Sequence, residues 1–268
     1  MTARLRVGAL ISGGGTNLQA ILDACAGGAI PAEVVFVGSD TPQAAGLERA
    51  RSRGIPTFVV DYRGLLAARR RDPDGHPLPG DFDLEEIRAK QTLFPRSADP
   101  ERVDAYLQSR ALAEAHLLEA MRARAFDLLA LAGFMRNLTP YFIDRVNTDR
   151  DRPRIMNIHP ALLPAFPGTD GYGDTFRYGC KVAGCTVHFV DYGEDSGPIV
   201  GQRAFPIGEG DTLDDVRRRG LEQEWQLYPE CIRLFAEGRL RTERCRHDLP
   251  GGRMVERTVV RVLPEKKD

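Results

Sequence analysis

The stretch Leu5-Arg6-Val7-Gly8-Ala9-Leu10-Ile11-Ser12-Gly13-Gly14-Gly15-Thr16-Asn17-Leu18 decides the fold class. Leu5–Ile11 is an apolar run suited to a strand buried on both faces. A glycine turn follows, and Leu18, Ile21, Leu22 and Cys25 then recur at helical spacing. Outward from there, residues 33–37 read as a second strand, 46–53 as a helix stopped by Gly54, and 57–60 as a third strand. Strand, helix and strand at this rhythm require right-handed crossovers between parallel strands. The expected fold is therefore α/β: a doubly wound, mostly parallel sheet with helices on both faces.

The rhythm breaks at residues 63–100, where Pro, Gly, Asp and Arg abound and only 84–93 shows any periodicity. Such a connection inside a compact domain is expected to be a mobile surface loop, or else a lid or dimer contact. A helix over 100–126 runs into an apolar strand at 127–132. Strands are expected at 154–158 and 186–190, and a helix over 212–237 closes the sheet region. The reading is one unit over 1–240, with the insertion at about 63–100, and a charged extension over 241–268. The β-rich stretch 257–263 in that extension is expected to be an edge strand or a dimer arm.

Charge and hydropathy narrow the function classes. Lys plus Arg number 37 against 38 Asp plus Glu, which argues against a basic nucleic-acid face. No apolar run approaches the roughly 20 residues of a membrane span, and the apolar run 7–11 is too short for a cleavable leader. A cytoplasmic protein is expected, acting on small molecules as a monomer or homodimer. Five scattered cysteines do not describe a disulfide framework. Cys180, Cys185, Cys245 and His247 lack the close, repeated spacing of structural zinc ligands, so no metal is expected.

Three constellations can carry chemistry. Glycines between a buried strand and a helix let backbone N–H groups approach an anion at a helix N-terminus, although the same turn also serves as a simple cap. It is neither a Walker loop nor a dinucleotide fingerprint. Asn157 and His159 stand two apart on an extended segment and so share a side, as a hydrogen-bonded core pair or as an amide and an imidazole facing one substrate. Asp195, in Gly193-Glu194-Asp195-Ser196-Gly197-Pro198, is either a turn former or a carboxylate that orients a histidine.

Taken together these segments resemble the glycinamide ribonucleotide formyltransferase family. Ile11-Ser12-Gly13-Gly14-Gly15-Thr16-Asn17-Leu18-Gln19-Ala20 resembles its phosphate-loop opening, and Leu131-Ala132-Gly133-Phe134-Met135-Arg136 its next signature. Asn157-Ile158-His159-Pro160-Ala161-Leu162-Leu163-Pro164 is similar to the hallmark of the folate formyltransferases, and His188-Phe189-Val190 with Asp195-Ser196-Gly197-Pro198-Ile199 to the segment bearing the family aspartate. The resemblance implies Asn157, His159 and Asp195 as the catalytic set. Gly15, Thr16 and Asn17 would hold the ribonucleotide phosphate and Glu224 the ribose hydroxyls. Backbone around Met135, Arg136, Leu138 and Glu194 would meet the pterin of 10-formyltetrahydrofolate, with Leu131, Phe142 and Val190 lining its apolar pocket. Arg110 falls where the family can place an arginine against the folate glutamate tail; its alternative is an exposed helix arginine.

The departures are Thr169-Asp170-Gly171-Tyr172-Gly173-Asp174 in place of a histidine-rich stretch, the insertion and the C-terminal extension. They leave an amino-sugar nucleotide as an alternative acceptor. A formyltetrahydrofolate hydrolase would bring an N-terminal regulatory domain, and a methionyl-tRNA formyltransferase a basic C-terminal one. A non-catalytic folate-binding module would have little reason to keep all three polar residues.

Overall fold

The computed structural model describes residues 4–149 and 151–265. The ends of the 1–240 unit and of the 241–268 extension thus fall partly outside the described residues. In chain order the elements are β1 (Leu5–Ile11), α1 (Thr16–Ala26), β2 (Ala32–Ser39), α2 (Gly46–Arg51), β3 (Thr57–Val59), α3 (Tyr62–Arg71), α4 (Leu84–Lys90), α5 (Pro100–Arg122), β4 (Leu128–Leu131), α6 (Pro140–Val146), β5 (Ile155–His159), α7 (Gly171–Arg177), β6 (Val182–Phe189), β7 (Ile199–Pro206), α8 (Leu213–Ala236), β8 (Leu240–Leu249) and β9 (Arg253–Val262).

Seven strands form one sheet in the order β3-β2-β1-β4-β5-β6-β7. β1 to β5 pair in parallel, while β6 runs antiparallel to both β5 and β7. The chain winds outward from β1 to β3 and then returns to β4 on the other side of β1. That reversal opens a crevice beyond the carboxyl ends of β1 and β4. Ser12 N–H donates to Gly133 O at 2.9 Å across it, and Met135 N–H to Ser12 Oγ at 2.8 Å.

Alternation along the strands sorts the core into two layers. Val7, Ala9 and Ile11 face α1, α2 and α8, where they meet Leu18, Ile21, Leu47, Leu227 and Ile232. Leu10, Leu129, Leu131 and Ile155 face α5 and α6 and meet Leu117, Met121, Phe142 and Ile143. Polar caps start the long helices. Asp99 accepts from Glu101 N–H ahead of Pro100 at α5, and Thr212 with Asp215 forms a capping box at α8.

Two expectations change. Residues 63–100 are not a structureless connection, because they contain most of α3 and all of α4. Ile87 is buried with Val103, Leu107, Ala111 and Tyr141, and Phe82 and Phe94 pack beside it, so the segment borrows the outer faces of α5 and α6 as its core. Nor is 257–263 an edge strand of the main sheet. Among the described residues β9 pairs with β8 alone, as a hairpin turning through Gly251 and Gly252, both at positive φ.

Glu114 of α5 is fully buried and accepts from Thr139 N–H at 2.8 Å and Thr139 Oγ–H at 2.5 Å. Burial outweighs both donors and pushes its carboxyl up from 4.5 to about 7. The folded state therefore keeps a proton that the unfolded chain releases between those two values. The stability this proton contributes is present below 4.5 and lost as pH rises through about 7. Glu114→Gln, neutral throughout, is expected to lack that component. Thermal midpoints followed from pH 5 to 8 check it: the wild type should fall relative to the variant, and parallel curves would acquit Glu114.

Candidate active site

A cavity of about 370 Å³ lies at the crevice, and six parts of the chain wall it: α1, the loop after β4, β5 with its following loop and α7, β6, the loop 190–198, and α8. Asn157 and His159 both border it from β5. The β5–β6 register sets Asn157 directly opposite His188. Asn157 Nδ2 lies 3.3 Å from His188 Nε2, and His188 Nδ1 lies 2.9 Å from Phe189 O. A carbonyl only accepts, so Nδ1 carries a proton. Nε2 then accepts from Asn157 when the ring is neutral. The same Nε2 stands 3.6 Å from Asp195 Oδ1, near enough for charge attraction but beyond hydrogen-bond reach.

His159 is buried, with Nδ1 3.1 Å from Asp195 Oδ2 and Nε2 2.8 Å from Phe166 O. Both partners are oxygen acceptors, so the ring satisfies them only with a proton on each nitrogen. Asp195 also accepts from Gly168 N–H at 2.9 Å. Burial works to raise the Asp195 carboxyl. The nearby His188 and His159 rings and the Gly168 N–H together overcome it and hold the group below its usual range. The loop carboxylate and the strand histidine, 36 positions apart by subtraction of their numbers, thus form an ion pair.

A second polar group closes the other wall. Buried Glu224 of α8 accepts from Asn17 Nδ2 at 2.6 Å and from Tyr172 Oη–H at 2.7 Å. Burial pushes its carboxyl up against both donors. Asn17 Oδ1 is buried without a protein partner. Tyr172, from the stretch that departs from the family pattern, fits because position 220 is glycine: a Cβ there would lie 2.1 Å from the tyrosine ring. Asp170 caps the same stretch with ion pairs to Arg177 at 2.8 Å and Arg217 at 3.1 Å, and Arg217 reaches the cavity wall.

The remaining residues named from the sequence divide. Leu131, Met135, Arg136, Leu138, Val190 and Glu194 line the cavity. Phe142 stands behind them, fully buried in the cluster with Leu131 and Leu138. Arg110 lies outside the cavity lining, its guanidinium carbon 4.9 Å from the Tyr106 ring centre and 5.7 Å from that of Tyr62, with Nε buried and unpaired. Gly15 and Thr16 sit beside the cavity rather than in its wall. Gly15 has φ 68°, and a Cβ on it would come within 2.8 Å of Gly46 Cα, so its bareness serves the loop's packing on α2. Gly13 and Gly14 face open space. His188 and Tyr172 were not singled out by sequence. The signal for His188 was a histidine inside an otherwise apolar run. Among the described residues no three His, Cys, Asp or Glu side chains gather as a metal site needs.

Comparison with known proteins matches residues 5–232 to the formyl transferase family. The chain belongs to that family. A phosphoribosylglycinamide formyltransferase of Haemophilus influenzae is 36% identical over 236 residues, 88% of this chain and 89% of that protein. One of Escherichia coli is 35% identical over 232 residues, 87% of each. The crystal structure of glycinamide ribonucleotide transformylase 1 from Symbiobacterium toebii superposes with a TM-score of 0.68 at 39% identity, covering 98% of this chain and 96% of that one. The family match thus runs through residues 62–99 and ends before the hairpin.

Overpacking tests the Tyr172–Gly220 fit. Gly220→Val should cost ~1–3 kcal/mol of stability, the scale of added methyl groups in a filled core. Adding Tyr172→Ala should recover part of the loss, and a denaturation cycle over the four proteins reads that coupling. Strictly additive losses would separate the two residues.

Proposed function

We infer that this chain transfers the formyl group of 10-formyltetrahydrofolate to the amine of glycinamide ribonucleotide, a step of purine biosynthesis. The observation that carries the reading is one cavity joining Asn157, His159 and Asp195 to Glu224 and Asn17 beside the glycine loop. The apolar side chains of Leu131, Leu138 and Val190 suit a flat heterocycle, and Glu194 and Arg136 at the rim suit its polar edge. The folate supplies the formyl carbon. The reading keeps the protein in the cytoplasm, acting on small molecules as a monomer or homodimer.

Amine attack on a formyl carbon puts negative charge on the formyl oxygen. Asn157 borders the cavity and has a second Nδ2–H for that oxygen, while the doubly protonated His159 ring, its N–H groups already engaged by Asp195 and Phe166 O, acts through its positive charge. Asp195 holds His159 through Nδ1 and, as the carboxylate nearest the ring, takes part in moving the proton shed by the amine to the folate nitrogen, whose bond to the formyl carbon breaks as tetrahydrofolate leaves. Glu224 has spare acceptor sites beyond those filled by Asn17 and Tyr172, which suits ribose hydroxyls that must donate. Asn17 Oδ1 offers one more acceptor. Gly13 and Gly14 leave open the approach of a phosphate to backbone N–H groups at the start of α1. Arg49 adds a cation there, its Nε donating to Gly14 O at 2.8 Å.

The direct test mixes purified protein with 10-formyltetrahydrofolate and, separately, glycinamide ribonucleotide, its dephosphorylated form, an amino-sugar nucleotide or water. Formylation of the phosphorylated ribonucleotide alone is expected. Release of formate without acceptor would point to a hydrolase, and formylation of the sugar nucleotide to the other alternative. Asn157→Ala, His159→Ala and Asp195→Asn should each lower turnover at least ~100-fold, the scale of a lost oxyanion donor or acid–base group, while folate binding changes far less.

Gly14→Val should raise the acceptor KM at least ~10-fold by blocking backbone donors, with the folate KM and the thermal midpoint nearly unchanged. A phosphate-independent acceptor KM in the wild type would remove the phosphate loop from the reading.

A further inference from the structure

The loop 190–198 carries Asp195, and Asp195 has φ 49°, in the left-handed region that side-chain-bearing residues avoid. A conformation of that kind persists only where the surroundings over-determine it. From the cavity side the carboxylate is held by Gly168, His159 and His188. The opposite side of the loop meets the segment that interrupts the α/β rhythm.

Three contacts join them. Thr92, just past α4, donates its backbone N–H to Tyr192 O at 2.9 Å. Its Oγ1 lies over the bare α-carbon of Gly193, where an added Cβ would come within 2.8 Å of it. Lys90, the last residue of α4, places Nζ 2.7 Å from Asp144 Oδ2, and the Tyr192 hydroxyl donates to the other oxygen of the same carboxylate.

The segment has a firm base for such a role. Ile87 is buried against α5, Arg88 forks onto Asp104 of α5, and Asp81 pairs with Arg145 of α6 at 2.7 Å. The base stands on the same two helices that pack under the sheet, and the tip touches the loop two to three residues before Asp195.

We propose that Thr92 and Lys90 are positioning residues, through which residues 62–99 hold the loop 190–198 so that Asp195 stays aimed at His159. They touch neither reacting group: Thr92 acts through the backbone of Tyr192 and Gly193, and Lys90 through the Asp144 carboxylate that accepts from the Tyr192 hydroxyl. The link to catalysis rests on the formyl-transfer reading of Asp195; the brace itself does not.

Thr92→Pro removes the backbone N–H that Thr92 donates to Tyr192 O. Gln91 has φ −65° and ψ 144°, the conformation that a residue before proline prefers, so the substitution is tolerated upstream. Lys90→Met removes the cation that faces Asp144, and Thr92→Ser keeps both N–H and hydroxyl. Amide exchange is read at 191–196, alongside kcat and both KM values of the full-length protein.

Thr92→Pro and Lys90→Met should speed exchange across that loop, lower kcat and raise the folate KM by roughly three- to tenfold, the scale of one lost hydrogen bond. The acceptor KM should stay within about twofold, because Glu224 lies on the other wall, and Thr92→Ser should match the wild type in every reading. Unchanged exchange in the loop would overturn the brace whatever the activity. Faster exchange with wild-type kcat and folate KM would overturn its bearing on the reaction. A wild type without formyl transfer would sink the functional reading and leave the exchange result standing. Should Thr92→Pro fail to fold, Lys90→Met decides on the same terms.

Discussion

Asp195 is a carboxylate with 13% of its side chain exposed, and removing such a charge from water is costly unless donors replace the water. Three replacements come from three places: the Gly168 N–H from the loop after β5, the His159 ring from β5 and the His188 ring from β6. Their convergence depends on the antiparallel register of β5 and β6. A slip of one residue would turn Asn157 and His188 to the opposite face and break the pairing that aligns them. The chemistry is thus set by the sheet's edge, where β6 reverses the parallel run.

The opposite wall answers to a different constraint. Glu224 is buried on α8 and must be satisfied locally, which Asn17 and Tyr172 accomplish from α1 and α7. Those hydrogen bonds tie three helices to one carboxylate. Gly220 then follows as a packing requirement, because the tyrosine ring occupies the space of its missing side chain. The stretch Thr169-Asp170-Gly171-Tyr172 is therefore a coherent set: Tyr172 works inward on Glu224, and Asp170 works outward on Arg177 and Arg217.

Much of this was legible in the residues. The run Leu5–Ile11 followed by three glycines announced a buried strand and a crevice loop, and both are where expected. Asn157 and His159 were placed on one strand and one side by their spacing alone, and both border the cavity. What escaped is instructive in each case. His188 stood out only as a histidine in an apolar run, because its role comes from a cross-strand neighbour and the β5–β6 register is not a local property. The helices of 62–99 escaped because the segment was weighed as if it had to supply its own core. Ile87, Phe82 and Phe94 instead bury against α5 and Tyr141, a tertiary solution that composition cannot reveal. The C-terminal hairpin was signalled by Gly251-Gly252 between two alternating stretches, a turn cue that the high charge around it obscured.

The antiparallel edge also explains why the site needs support from outside the sheet. A loop at the carboxyl end of a parallel strand is commonly followed by a helix that packs back on the sheet and fixes it. The loop 190–198 has no such helix; it joins two antiparallel strands and must fold back over β5 to bring Asp195 to His159. Its internal bonds, Ser196 Oγ–H to Asp191 Oδ1 at 2.6 Å and Gly193 N–H to the same oxygen at 3.2 Å, shape the turn without anchoring it to the body. Anchoring comes from Gly168 and the two histidines on one side and from Thr92 on the other. A segment that looks like an interruption of the α/β rhythm lies where the fold itself provides no crossover helix.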